Sequence, residues 1–144
     1  MGLKVIPVGQ AEYDALAGVL ADNDLLAGDL GGDNQRFFAF EDDSGWRVGV
    51  GGLELYGDAA ILRSFLTMSC HRGQGLGGKM LEELVARARE AGVKTLYLFT
   101  EDAAGFFTKY GFMPAERDRA PAAVRQSAQF ATHCASADFL MRHL

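Results

Sequence analysis

Four glycines within residues 73–78, directly ahead of an amphipathic segment, constrain this chain more than any other sequence feature. Residues 72–79 read Arg-Gly-Gln-Gly-Leu-Gly-Gly-Lys, and the apolar residues that follow recur at helical spacing. Successive glycines let backbone amides converge, and a helix N-terminus adds unsatisfied N–H groups and a partial positive charge. The turn therefore predicts an anion site, suited to a pyrophosphate, at the start of a helix.

The remaining pattern predicts a mixed α/β chain built around one sheet. Strands are predicted at residues 3–7, 36–41, 46–55, 59–68, 95–100, directly after 111–112, and at 137–141. Helices are predicted at residues 11–21, 76–91, 103–110 and 121–131, with a loop rich in Gly, Asp and Asn at 22–35. Short polar turns join the second, third and fourth strands, which indicates an antiparallel meander. Gly49, Gly51 and Gly52 suggest a bulge or a close approach in its middle strand.

Length and charge narrow the class of protein. The chain has 144 residues and a net charge of −5, so we expect residues 1–144 to form a single domain. Lys and Arg are scattered, which argues against nucleic acid as a partner. The sequence has neither a long apolar span nor a signal peptide at its start, so no membrane association is expected. Two cysteines fit free thiols in a reducing cytoplasm.

Three phosphate-binding motifs compete for the glycine turn. Gly73, Gly75 and Gly78 satisfy the dinucleotide spacing GxGxxG, with Glu101 as a ribose-binding acid, but hairpins rather than a βαβ unit precede them. Residues 73–79 nearly spell a P-loop, yet Met80 stands where the magnesium-binding hydroxyl belongs. The dinucleotide interpretation therefore lacks its βαβ unit, and the P-loop interpretation lacks its magnesium ligand.

The third interpretation is a resemblance to a family. Arg72, Gly75 and Gly77 match the signature Q/R-x-x-G-x-G/A of the GNAT N-acetyltransferases. Residues 66–77 resemble the exit of that family's fourth strand and its pyrophosphate loop. Residues 106–112, Phe-Phe-Thr-Lys-Tyr-Gly-Phe, resemble the end of its fourth helix. The two motifs, in a matching order of elements, cover nearly the whole chain.

The resemblance implies a mixed, mostly antiparallel sheet, splayed between strands four and five and flanked by helices. Acetyl-CoA would be the co-substrate, with its pantetheine arm in the gap and no metal. The cofactor-binding residues that the resemblance implies are Leu66, Thr67, Met68, Arg72, Gly73, Gln74, Gly75, Leu76, Gly77, Gly78 and Lys79. In such enzymes the substrate amine commonly attacks the thioester directly, which requires a base for the ammonium and an acid for the thiolate.

The catalytic residues are less clear from the sequence, because Phe107 replaces the family's usual general-acid tyrosine. Tyr110 would be the acid only if its side chain turned toward the sulfur. Water, or departure of the thiolate without an acid, is the alternative. Glu54, Glu101 and Asp102 are candidate bases, and a bridging water could serve instead.

Arg63 interrupts an apolar run in the fourth predicted strand, so its charge needs a partner or a ligand. It would either anchor a substrate carboxylate or pair with an acid such as Glu54. Residues 100–107 and 117–134 are similar to the arsenic-resistance branch of the GNAT family. That similarity implies an α-amino acid or a close analogue as acceptor, with Arg63 and Arg117 as carboxylate partners.

The sequence therefore predicts a cytoplasmic N-acetyltransferase that acts on a small primary amine, amino-acid-like or toxin-like, in a ternary complex. The alternatives are a non-catalytic sensor of acyl-CoA, motivated by Phe107, and an NAD-binding oxidoreductase. Cys70-His71 and His133-Cys134 lack metal-ligand spacing, so neither a metal site nor a cysteine nucleophile is expected. Monomer and homodimer both remain open.

Overall fold

The computed structural model describes residues 2–68, 75–132 and 136–144. Within them the strands are β1 (Lys4–Pro7), β2 (Gln35–Glu41), β3 (Arg47–Tyr56), β4 (Ala59–Thr67), β5 (Thr95–Thr100), β6 (Met113–Pro114) and β7 (Asp138–His143). The α-helices are α1 (Tyr13–Asp22), α2 (Leu76–Glu90), α3 (Ala104–Lys109), α4 (Ala122–Arg125) and α5 (Ala128–Thr132). Short 3₁₀ turns cover Gln10–Glu12 and Arg117–Arg119. No helix in these described ranges is long and apolar enough to cross a membrane.

The strands of the described residues form one sheet in the order β1-β2-β3-β4-β5-β7-β6. Neighbouring strands are antiparallel except for β4 and β5, which run parallel because α2 carries the chain back between them. The predicted mixed α/β class with a mostly antiparallel sheet is therefore confirmed.

Glycines on β3 let α2 lie close against the sheet. A Cβ atom at Gly49 would collide with Met80, and one at Gly51 would lie 2.6 Å from a methyl group of Leu84. Met80 and Leu84 are fully buried members of the main core cluster. The expectation of a close approach at these glycines is therefore confirmed, since the apolar face of α2 packs directly on the middle strand.

The bulge expected near these glycines is also present, but its extra residue is on β4. Val50 pairs with Leu66 and Gly52 pairs with Arg63, so two residues of β4 face the single residue between them on β3. Ser64, one of the two, has a φ of 56°, which is rare for a residue with a side chain.

The helix predicted at residues 121–131 is wrong as a single element, because two short helices, α4 and α5, stand in its place. Ser127 lies between them. Its hydroxyl donates to the carbonyl of Val124 at 2.6 Å and accepts from the amide of Phe130 at 3.2 Å. A serine that bonds backbone on both sides ends one helix and caps the next.

Candidate active site

The cleft of interest opens where β4 and β5 diverge. Their pairing runs from Ala59–Thr95 to Ile61–Tyr97 and ends there. Beyond it, the second half of β4 and the end of β5 line a cavity of about 710 Å³. Because the described strands no longer pair across this gap, the facing backbone edge of β4 can hydrogen-bond to an extended ligand.

Five other segments complete the walls of this cleft. The loop after α1 contributes Asn23, Asp24, Leu25 and Leu26, and the segment after β5 contributes Glu101, Asp102 and Ala103. Helix α3 contributes two aromatic rings, Phe106 and Phe107. Gly77 and Gln129 come from α2 and α5. The lining combines apolar and aromatic side chains with acidic and amide groups from the loop after α1, the segment after β5 and α5.

The N-terminus of α2 provides an anion site beside the cleft. Gly75 precedes the helix with a φ of 75°, the helix has no side-chain cap, and its first turn carries no acid. Lys79 lies in that first turn and lines an adjacent cavity of about 520 Å³. The N–H groups of the first turn, the helix dipole and a lysine together suit a phosphate, although Glu82 and Glu83 also line this cavity.

These features fit coenzyme A, whose long arm would need a free strand edge and whose pyrophosphate would need an anion site. Leu66, Thr67 and Met68, predicted to pair with the arm, lie on β4 and directly after it. A Cβ atom at Gly77 would lie 3.2 Å from Phe106, so a glycine there keeps that side of the cleft open. Arg72, Gly73 and Gln74 of the predicted set lie outside the described residues.

Tyr110, the predicted acid, lies beside α2 rather than along the cleft. Its hydroxyl packs so closely on Gly78 that a Cβ atom there would collide with it. Tyr110 lines the smaller cavity at the helix N-terminus, whereas Phe107 lines the cleft. Phe107 is buried against Phe65 and Phe112, with ring centroids 5.8 and 5.6 Å away. The catalytic role of Tyr110 therefore stays a prediction.

Arg63 lies at the bottom of the cleft and is paired with two acids. Its Nη1 donates to Asp29 Oδ2 at 2.5 Å and to Glu54 Oε1 at 2.6 Å, and its side chain is fully buried. Burial alone would lower the pKa of Arg63, but the hydrogen bonds and charges of Asp29 and Glu54 raise it above its usual value. The expected pairing with Glu54 is present, and the carboxylate-anchor role stays a prediction.

The candidate bases differ in position. Glu54 is buried, ion-paired with Arg63, and accepts a hydrogen bond from the Tyr56 hydroxyl at 2.7 Å. Burial, followed by the hydrogen bond and charge of Glu54, raises the pKa of Tyr56 to about 12. Glu101 and Asp102 are exposed and line the cleft, whereas Glu54 does not. Glu101 and Asp102 are therefore the candidate bases that lie in the cleft lining, and their catalytic role stays a prediction.

Arg117 lies away from the cleft lining. One of its Nη atoms donates to the carbonyl of Ala137 at 2.8 Å, and its guanidinium stacks 5.2 Å from the ring of Phe99. Cys70, His71, His133 and Cys134 fall outside the described residues. Within residues 2–68, 75–132 and 136–144, no group of three or more His, Cys, Asp or Glu could hold a metal ion.

Sequence reasoning assigned no site role to several polar residues, among them Asp24, Ser64 and Gln129 in the cleft lining and Asp29 on Arg63. Asp24 has a φ of 60°, a conformation that aspartate tolerates better than most residues. The signal available for Asp24 and Asp29 was the Asp-, Asn- and Gly-rich composition of residues 22–35. Gln129 lies within the segment 117–134 that resembles the arsenic-resistance branch, whereas nothing in the sequence marked Ser64.

The gap between β4 and β5, with the N-terminus of α2 at its opening, has the shape and donor groups that suit an extended, phosphate-bearing ligand. Residues 33–114 match the family described as "Acetyltransferase (GNAT) domain". This match covers more than half of the chain, so the protein belongs to the GNAT acetyltransferase family. The family that the third interpretation of the glycine turn indicated is therefore confirmed.

Similar proteins agree with this assignment. An amino-acid acetyltransferase from Azotobacter vinelandii is 39% identical over 66 residues, which is 46% of this chain and 15% of that protein. The chain thus spans a small part of the curated relatives that it matches. N-acetylglutamate synthase from Neisseria gonorrhoeae, complexed with coenzyme A and N-acetyl-glutamate, covers all of this chain with a TM-score of 0.78 and 18% identity. The chain covers 35% of that protein.

A neighbour of similar size is Rv2747 from Mycobacterium tuberculosis, solved in complex with CoA. Its TM-score is 0.74 at 18% identity, over 98% of this chain and 99% of that one. At these identities the two structural likenesses show a shared fold.

Proposed function

We propose that this protein transfers the acetyl group of acetyl-CoA to the primary amine of a small acceptor by direct attack in a ternary complex. The observation that carries the proposal is the divergence of β4 from β5 beside the uncapped N-terminus of α2. One element supplies an open strand edge and the other an anion site, which are the two parts that CoA needs. We also propose that residues 1–144 act as one N-acetyltransferase domain.

Backbone groups of Leu66, Thr67 and Met68 would hold the pantetheine arm, and amides of residues 72–79 would hold the pyrophosphate. Bound acetyl-CoA would supply an acetyl thioester to the cleft. Phe106 and Phe107 would exclude water from that region, since both rings line the cavity and pack edge to face at 5.1 Å. A dry cleft strengthens every polar contact made inside it.

The acceptor would enter beside the polar side of the cleft. Asp24, Glu101 and Asp102 line it, so the local charge favours an ammonium group. Glu101 would take the proton from that ammonium, directly or through a water. The Ser64 hydroxyl accepts from Arg63 Nε at 3.0 Å and keeps its own proton for donation, so it could bind an acceptor oxygen.

An amino-acid-like or toxin-like acceptor would also carry a carboxylate. That carboxylate would need a neutral hydrogen-bond donor, such as the Ser64 hydroxyl, or a cation. The curated relatives named amino-acid acetyltransferase, together with the resemblance to the arsenic-resistance branch, support including these acceptors in any search. Phe107 cannot donate a proton, so water would protonate the departing thiolate unless Tyr110 reaches it.

A second candidate is a non-catalytic acyl-CoA sensor, which Phe107 favours because it stands where the general-acid tyrosine belongs. Turnover separates the two functions. We expect the full chain, supplied with acetyl-CoA, to release free CoA with at least one member of an amine panel. The panel would hold L-glutamate, the other amino acids, a phosphinic amino-acid analogue and aliphatic diamines.

The free thiol of CoA and the mass of the acetylated amine would be measured in the same reactions. Binding of acetyl-CoA, NAD and ATP would be measured separately by calorimetry. Acetyl-CoA binding without turnover on the whole panel would favour the sensor. Absence of acetyl-CoA binding would overturn both functions.

With an amine that the protein acetylates, Glu101→Gln should lower turnover by about 100-fold with acetyl-CoA affinity unchanged. Glu90→Gln, an exposed acid at the far end of α2, is the matched control.

A further inference from the structure

Residues 23–34, here named the acceptor loop, form part of the cleft but have little structure of their own. The loop joins α1 to β2, and its first four residues line the cleft. It contains Gly28, Gly31 and Gly32, which cost more conformational entropy to order than other residues. A defined cleft wall therefore requires side chains elsewhere to hold the loop in place.

Arg63 of β4 makes three hydrogen bonds to the acceptor loop. Its Nη1 and Nη2 donate to the two carboxylate oxygens of Asp29, at 2.5 and 2.8 Å. Its Nη2 also donates to the carbonyl of Leu26 at 3.0 Å. A paired, two-oxygen contact fixes both the position and the orientation of the carboxylate.

On its other side Arg63 is fixed to the sheet. Nη1 donates to Glu54 Oε1 at 2.6 Å, and Nε donates to Ser64 Oγ at 3.0 Å. The guanidinium lies 5.4 Å from the ring of Phe37, and Tyr56 holds the second oxygen of Glu54. The arginine thus links a rigid part of β3 and β4 to a loop that comes from a distant part of the chain.

A guanidinium has five N–H donors, and these contacts use all five. Two carboxylates, Asp29 and Glu54, already neutralise its single charge. An acceptor carboxylate could reach Arg63 only by displacing one of these partners. The geometry therefore fits a structural link to the loop better than an anchor for substrate.

Gln35 supports the same part of the loop from β2. Its Nε2 donates to the carbonyl of Asp29 at 2.9 Å, and its Oε1 accepts from the amides of Gly31 and Gly32 at 2.9 and 3.2 Å. Gln35 is 7% exposed. Asp29 is therefore held through its side chain by Arg63 and through its backbone by Gln35.

We propose that Arg63 is a positioning residue, which holds the acceptor loop through Asp29 so that residues 23–26 form the wall of the acceptor end of the cleft. This inference rests on the proposed function, because that function makes this end of the cleft the place where the acceptor binds. The link between Arg63 and the loop does not depend on it. Loss of the link would free the loop, weaken binding of the amine, and leave the CoA end of the cleft intact.

Asp29→Ala is the informative variant, because it releases the loop while Arg63 keeps Glu54 as a partner. Removing Arg63 itself would leave Glu54 buried without a counter-charge and would destabilise the fold. Asp33→Ala is the matched control, since Asp33 is an exposed acid in the same loop. Asp29→Asn retains one oxygen that can accept from Arg63 and should fall between Asp29→Ala and wild type.

Hydrogen exchange followed by mass spectrometry would be measured on the full-length variants. We expect amides of residues 25–34 to exchange about tenfold faster in Asp29→Ala than in Asp33→Ala, with β3 and β4 unchanged. Calorimetry should give an acetyl-CoA affinity within about twofold of wild type. With the best amine of the panel, KM for the amine should rise about tenfold while kcat changes little.

Equal exchange of the loop in Asp29→Ala and Asp33→Ala would overturn the proposal. So would a fall in kcat with an unchanged KM for the amine, because that pattern indicates loss of folded enzyme. If no amine on the panel is acetylated, the proposed function fails, and the exchange comparison still decides whether Arg63 holds the loop.

Discussion

Tyr56 and Arg63 share the carboxylate of Glu54, and this sharing links the stability of the sheet to pH. Tyr56 donates to one oxygen of Glu54 and Arg63 donates to the other. The side chain of Glu54 is 3% exposed, and its burial would be costly without these two partners. The three side chains lie on β3 and β4, so the network fastens the two central strands to each other.

The raised pKa of Tyr56 predicts the direction of a pH effect at high pH. An unfolded tyrosine titrates near pH 10, whereas Tyr56 in the folded protein titrates at about 12. The folded state therefore keeps a proton that the unfolded state releases. Stability from this group is complete below pH 10 and is lost as the pH rises through 12.

We expect wild type to exceed Tyr56→Phe in unfolding free energy by about 1 kcal/mol at pH 8.5. That difference should vanish toward pH 12. Urea denaturation of both proteins at several pH values would measure it. The phenylalanine variant controls for lysines and other tyrosines, which titrate in both. A difference that stays constant with pH would contradict the assignment.

At the scale of elements, the start of α2 combines two properties that the glycines make possible. Gly75 takes a φ of 75° that turns the chain into the helix, and no atom lies within 4 Å of where its Cβ would be. Gly77 and Gly78 let Phe106 and Tyr110 of α3 lie directly on the first turn. The helix N-terminus is thus open on one side and packed against α3 on the other.

Gly75→Glu should weaken acetyl-CoA binding by more than tenfold relative to Gly75→Gln. Both variants carry the same backbone strain at this φ and nearly the same side-chain volume, so only the negative charge beside the anion site differs. Isothermal titration would give the two affinities, and thermal melts would show whether the variants are equally folded. Equal affinities would remove the α2 N-terminus from the CoA site.

At the scale of the whole molecule, the splayed sheet is covered on both faces by separate clusters of buried side chains. One cluster lies under α2, and two others lie beneath α1 and α4. The clusters share strands: β4 supplies Leu62 to one and Ile61 to another. Because β2, β3, β4, β5 and β7 each contribute side chains to more than one cluster, loss of one cluster removes the support of the next.

We therefore expect the 144-residue chain to unfold in one cooperative thermal transition, as the proposed single domain requires. Acetyl-CoA at 100 times its dissociation constant should stabilise the folded state by about 2.7 kcal/mol, or roughly 6–10 °C. Differential scanning calorimetry would record both effects. Two separate transitions, or a midpoint that acetyl-CoA leaves unchanged, would contradict the single domain or the cofactor, respectively.

The sequence alone determined the order of the strands and the glycine-rich start of α2. Hydrophobic periodicity predicted α2 and the strands within about two residues, because packing on one face repeats with the geometry of the element. Glycines flank the predicted helix 76–91, and the structure shows why, since Gly75 and Gly92 both take a positive φ that few other residues tolerate. The motifs around residues 72–79 and 106–112 indicated the family before any contact was known.

Only the tertiary structure decided which distant residues meet. The sequence required a partner for Arg63, and the fold supplied Asp29, which is 34 positions away, together with Glu54. It also brought Glu101, Asp24 and Gln129 to one cleft and turned Tyr110 toward α2. These outcomes depend on strand order, on a bulge at Ser64 and on the packing of each side chain. Local sequence carries periodicity and turn chemistry, whereas contacts across the sheet exist only once the chain has folded.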